Sequence, residues 1–175
     1  MKVLSRYLIF IFIASSLPTF AQSLLLKEVI ENQTTYKQGS AKFSVLFWDI
    51  YQSHLWSSEP VYSKEDEALL LKIEYLRDIT KDDLIDKTVE QWRHLKLSKQ
   101  RYEPYVKKLQ VLWPDIKKGD SLALLKSENR SVFYFNDQWL GEIDDAYFSE
   151  IFLAIWLSPN TSQPKLREQL IRGQS

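Results

Sequence analysis

A period of two marks the first clear strand of the chain. From Ala41 to Trp56, Phe43, Val45 and Phe47 point one way while Ser44, Leu46, Trp48 and Ile50 point the other. Apolar side chains on both faces predict a central strand, and its length predicts a bend or bulge near Asp49. Upstream, Ser23 to Glu31 has a mixed pattern, and Gln33 to Ser40 is polar with Gly39 read as a turn. Ser57 to Glu67 reads as a loop containing Pro60. A half-buried strand follows at Ala68 to Leu76, with Leu69, Leu71, Ile73 and Tyr75 on one face.

The period then changes to that of a helix. Thr80 with Asp83 three residues on is a cap signal, and Leu84, Thr88, Trp92 and Leu95 recur beside Ile85 and Val89, predicting a helix to about Leu97. Ser98 caps a second helix, with Tyr102, Tyr105, Val106, Leu109, Leu112 and Trp113 on one face; Pro104 is tolerable in its first turns, and Pro114 ends it. Two strands, Ser121 to Lys126 and Ser131 to Asn136, form a hairpin. Asn136-Asp137 turns the chain into a further strand at Trp139 to Ile143. Asp144 or Asp145 caps a helix whose wide apolar face holds Tyr147, Phe148, Ile151, Phe152, Ile155 and Trp156. Ser162 caps a last one, Pro164 to Arg172. Strands covered by one group of helices predict an α+β domain, an antiparallel sheet with helices on one face.

The amino terminus has a different purpose. Lys2 and Arg6 precede the apolar run Tyr7 to Ala14, and Leu17 to Ala21 offers the small residues of a signal-peptidase site. The run is shorter than the ~20 residues of a membrane span. Residues 1–21 are therefore expected to be a signal peptide cleaved after Ala21, leaving residues 22–175 as one domain with no stable membrane anchor. With no Cys in the chain, neither a bacterial lipid anchor on cysteine nor a disulfide is available, which suits a periplasmic protein held together by packing. The 45% hydrophobic content and six Trp supply the core.

Charge and motifs narrow the chemistry. Cleavage removes two of the 23 basic side chains and none of the 23 acidic ones, so the mature chain carries a net charge near minus two. No nucleic-acid partner is expected from that balance. His54 and His94 lack Cys partners and metal-ligand spacing, so no metal is expected. The chain has no Gly-x-Ser-x-Gly elbow, and four Gly leave little for a phosphate-cradling loop, so no cofactor is implied. Asp82, Asp83 and Asp86 fit the start of a helix better than a carboxylate site. Trp48, Trp92 and Phe152 could line a cleft or simply fill the core.

Read in order, Lys42-Phe43-Ser44, Ile50-Tyr51, Leu71 to Ile79, Gly119-Asp120, Gly141-Glu142-Ile143 and Ile155-Trp156-Leu157 resemble the chalcone isomerase-like family, and its exported bacterial branch in particular. The resemblance covers roughly Phe43 to Ile171. It implies an open-faced β-sandwich with a ligand cleft between the large sheet and the helices. The family includes flavonoid-cyclising enzymes, fatty-acid-binding relatives and members with no assigned activity. Plant isomerases use an early Arg, a Thr on the long strand and a Tyr after the next strand. Here Ser44 stands in for the Thr, but no Arg lies between Gln22 and Leu76 and no Tyr between Arg77 and Tyr102, so chalcone cyclisation is not expected.

Fatty-acid-binding relatives hold a carboxylate with an Arg and a Tyr, which needs a planar charged donor beside a neutral one. Arg77, with Tyr51 or Tyr75, is the replacement this sequence offers, and Ser44 and Trp48 complete the candidate set. The bland reading of Arg77 is a surface pair with Asp78 or a nearby acid. The expected function is binding of a small apolar or amphipathic, fatty-acid-like anion without catalysis. The alternatives are an isomerase or lyase acting on an unknown substrate through Ser44, Tyr51 and Arg77, and an accessory protein that presents a helical face to a periplasmic partner.

Overall fold

A computed structural model describes residues 26–34 and 36–172, so the expected signal peptide at 1–21 lies outside the described residues. In chain order the elements are α1 (Leu26–Asn32), β1 (Tyr36–Val45), β2 (Trp48–Ser57), β3 (Ala68–Tyr75), α2 (Lys81–His94), α3 (Lys99–Leu112), β4 (Ser121–Ser127), β5 (Arg130–Phe135), β6 (Gln138–Ile143), α4 (Ala146–Leu157) and α5 (Pro164–Ile171). The strands form one six-stranded sheet in sequence order. Every neighbouring pair is antiparallel.

Alternation decides what each face of the sheet carries. Leu55, Leu69, Leu71, Ile73, Tyr75, Leu122, Leu124 and Phe133 point to the side covered by α2 to α5, where Trp92, Leu109, Phe148, Phe152 and Leu170 complete the main core. On the opposite side Leu70, Ala123, Leu125, Val132 and Tyr134 meet Leu26 and Val29 of α1. The predicted helical layer is thus present on one face, and the mixed stretch before Glu31 supplies a short helix for the other. Among the described residues no helix is long and apolar enough to cross a membrane.

Local signals behave as their chemistry dictates. Thr80 Oγ1 accepts from the Asp83 amide at 3.1 Å and starts α2. Asp145 accepts from the Tyr147 amide at 3.0 Å and starts α4. Asn136 and Asp137 both take positive φ, as a tight hairpin turn of this twist requires. At α5 the expectation is corrected: Gln163 occupies the cap position, and Ser162 Oγ donates instead to Gln91 Oε1 at 2.6 Å, tying the loop to α2.

The largest difference concerns the strand expected from Ala41 to Trp56. It is two strands: β1 turns at Leu46 and Phe47 and returns as β2. β1 is therefore an edge strand, not a central one. Neither turn residue is a Gly, Asn or Pro, so the turn carries none of the usual punctuation. Gly39 is not a turn either. It lies inside β1, next to a bulge, where α5 crosses so closely that an added Cβ would collide with the Gln169 and Leu170 carbonyl groups.

Candidate functional site

Between the helix-covered face of the sheet and α2, α4 and the 158–163 loop lies a cavity of about 550 Å³, within the usual range for small-ligand sites. Its inner wall is apolar: Leu71 and Ile73 from β3, Leu122 and Leu124 from β4, Phe133 from β5, Phe152 from α4, and Trp113. All seven are buried. The side chains with full charges, Arg77, Asp78, Asp83, Lys87 and Glu90, line only the exposed rim.

Just inside that rim the walls turn polar. Tyr51 and Tyr75 face each other across the β2–β3 ladder, with their rings 6.3 Å apart edge to face. Trp156 Nε1 of α4 donates to the Tyr51 hydroxyl oxygen at 3.1 Å, which fixes the ring and leaves the phenolic proton free to donate. Tyr75 is only 3% exposed, yet its hydroxyl has no hydrogen-bond partner among the described residues. Burial pushes the Tyr51 phenol up to about 12, against a smaller opposing effect of the Trp156 hydrogen bond. Burial raises Tyr75 as well. Both groups are thus neutral proton donors at any ordinary pH.

Arg77 follows Tyr75 by two residues and lines the rim. Its expected surface partner is already engaged: the Asp78 carboxylate accepts from Lys117 Nζ at 3.2 Å and from the Lys118 amide at 2.9 Å. Those hydrogen bonds hold the Asp78 carboxyl below its ordinary range. Among the described residues the Arg77 guanidinium has no ion-pair or hydrogen-bond partner.

The structure thus brings together Tyr51, Tyr75 and Arg77, and sets the other two candidates apart. Ser44 is exposed and donates to Asp49 Oδ1 at 2.6 Å, beside a Lys42 Nζ–Asp49 contact of 2.9 Å. It does not line the cavity. Trp48 is 69% exposed on the β1–β2 ribbon end, also off the cavity wall. Trp92 is core, with its Nε1 donating to the Ile151 carbonyl at 3.0 Å, whereas Phe152 does line the cavity. Sequence reasoning did not single out Trp113 or Trp156 as wall residues. Trp156 lies on the apolar stripe of α4 and Trp113 follows the last residue of α3, on the stripe read from the sequence, and a stripe does not tell core from cavity wall. The Trp113 indole Nε1 is buried without a partner among the described residues, an unmet donor in the wall.

Comparison with known proteins gives the architecture a context. In a crystal structure, the fatty-acid binding protein of Arabidopsis thaliana superposes with a TM-score of 0.60 over 78% of this chain and 86% of that chain, at 10% sequence identity. At that identity the likeness is one of fold. An uncharacterized protein of Haemophilus influenzae is 28% identical over 133 residues, which is 76% of this chain and 66% of the relative. The chain therefore spans slightly less than two thirds of that relative's length. The chalcone isomerase-like family profile matches residues 30–172, from α1 through α5. With the profile running unbroken over the sheet and the helices that enclose the cavity, the chain belongs to the chalcone isomerase-like family.

Proposed function

We propose that this protein is an exported, non-catalytic carrier of an amphipathic anion of the fatty-acid type, working in the periplasm as a single domain of residues 22–175. The observation that carries the reading is the pair of unpartnered donors at one end of an apolar cavity. The Arg77 guanidinium lies at the rim and the Tyr75 hydroxyl just inside it. A carboxylate set between them takes charge from Arg77 and neutral hydrogen bonds from Tyr75 and Tyr51. An alkyl tail then runs inward over Ile73 and Leu71 to Leu124, Phe133 and Phe152.

Each part of the ligand meets its own chemistry. Burying the tail against this wall is worth roughly 0.8 kcal/mol per methylene. A carboxylate dragged deeper would lose its hydration with no cation to compensate, so the head stays at the rim. The fatty-acid binding activity named for the Arabidopsis fold relative agrees with this assignment. Tyr51 and Tyr75 keep their protons, so they suit hydrogen-bond donation and not proton abstraction.

The test is direct. Native mass spectrometry of the protein purified from its own cells should show a bound anionic amphiphile. Titration of stripped protein with long-chain fatty acids should give saturable binding. Arg77→Ala should weaken it by about tenfold, the worth of one charge-assisted hydrogen bond, and Tyr75→Phe by a smaller factor. Saturable binding unchanged in both variants would place the head group elsewhere. No binding of any fatty acid would remove the carrier reading.

A further inference from the structure

The β1–β2 ribbon ends in four consecutive exposed apolar residues, among them the most exposed large apolar side chain described, Phe47. Leu46 is 88% exposed and Phe47 99%, with Trp48 at 69% and Val45 at 48% beside them. The β2–β3 ladder begins at Tyr51 and Tyr75, so Trp48 and Asp49 pair only with β1, and the ribbon end overhangs the sheet. Leu46 also holds φ at 55°, a conformation that favours glycine. The turn therefore breaks two local rules at once, an apolar side chain in water and a branched residue at positive φ, and no core contact compensates for either. Departures of that kind concentrate where function requires them.

We propose that this ribbon end docks the protein onto a lipid bilayer and holds the cavity mouth against it. Continuity with the cavity is the first argument. Val45 and Ile50, on the two strands of the ribbon end, both line the cavity, as do Phe43 and Tyr51 one step inward. A surface that covers the tip therefore covers the mouth. Shape is the second. The exposed apolar groups sit at the end of a two-stranded ribbon that overhangs the sheet, which a fluid apolar phase can surround and a flat protein face cannot. Charge is the third. The ion pair of the ribbon end is already made within it, Lys42 Nζ to Asp49 at 2.9 Å, so apolar insertion leaves no bare ion behind. Trp48 places an amphipathic indole at the level where such rings favour the interface.

A second copy of the chain fits less well, because the free edge of β1 is interrupted by register shifts at Lys37/Gly39 and at Phe43/Ser44. Docking itself does not depend on the carrier reading. The consequence, that ligand passes directly between bilayer and cavity, does rest on it.

Flotation with vesicles of phosphatidylethanolamine and phosphatidylglycerol, and with vesicles of phosphatidylcholine alone, tests the proposal. The protein is expected to bind both, with little loss at high salt. Replacing both tip residues (Leu46→Asp with Phe47→Asp) should lower partitioning by about tenfold or more while leaving the thermal midpoint and fatty-acid affinity in solution unchanged. The rate of fatty-acid uptake from vesicles should fall in parallel. Arg77→Ala and Tyr75→Phe should still float, so failure of the carrier reading stays distinguishable from failure of docking. Absence of flotation, flotation that disappears with salt, or flotation unaffected by the tip substitutions would each overturn the proposal. So would a concentration-dependent dimer abolished by the same substitutions, which would make the tip an interface between copies.

Discussion

Gly39 shows how one absent Cβ sets the distance between two elements. It lies in β1 where α5 crosses, and any side chain there would meet the Gln169 and Leu170 carbonyl groups, which are backbone and cannot rotate away. Gly39→Ala should destabilise the fold by ~2 kcal/mol or more, as overpacking does, and a lower urea midpoint would register it. His54 carries a pH dependence. Burial, outweighing the nearby Glu74 carboxylate, holds its pKa below the ordinary 6.5, and its Nδ1 lies 2.7 Å from Ser40 Oγ. The folded state therefore binds this proton less readily than the unfolded chain. Stability that is full above pH 6.5 is lost as pH falls below it. Urea midpoints measured at about pH 7.5 and 5.5 should differ less in His54→Gln than in the parent. Residue chemistry of this grain was partly legible in the sequence. Tyr51, Tyr75 and Arg77 were named from type and position, but Ser44 and Trp48 were named with them, and only the fold leaves those two off the cavity wall.

At the scale of elements, the helices follow from period and caps, and the hairpin follows from neither. Phe43 to Ile50 is apolar on both faces with no polar break at 45–48, so the pattern fits one strand as well as two. A turn made of Leu46 and Phe47 gives no compositional warning. The same turn offers a test of strain. Leu46→Gly relieves the positive φ and removes an exposed apolar side chain, so it should raise stability by about 0.5–1 kcal/mol, read as a higher midpoint in urea. A fall in stability would mean that the Leu46 side chain supports the folded ribbon. Edge position also explains how apolar residues at 43–50 avoid full burial: inward ones such as Phe43 and Ile50 reach the cavity, and those past Val45 overhang the sheet.

For the whole molecule, the sheet separates two cores with different duties. One face carries the helical layer and the cavity; the other is covered by α1 through Leu26 and Val29. Truncating both to Ala should cost ~2–5 kcal/mol, measured by thermal or urea unfolding. Fatty-acid affinity should remain near that of the parent, because the altered contacts lie across the sheet from the ligand. A proportional loss of affinity would show that the two layers are coupled.

Local sequence determined the elements that depend on short-range chemistry: the Thr80 and Asp145 caps, the Asn136-Asp137 turn, the alternation of β3 and the apolar face of α4. The order of its motifs determined the family. Tertiary structure alone decided which apolar residues are core, which are cavity wall and which stand in solvent, because burial depends on the neighbours a residue meets across the fold. Trp92, Trp156 and Trp48 are the same residue type, yet one fills the core, one anchors a tyrosine at the cavity and one projects from the ribbon. The cavity itself is a gap between packed surfaces, and one-dimensional periodicity carries no record of where two surfaces fail to meet.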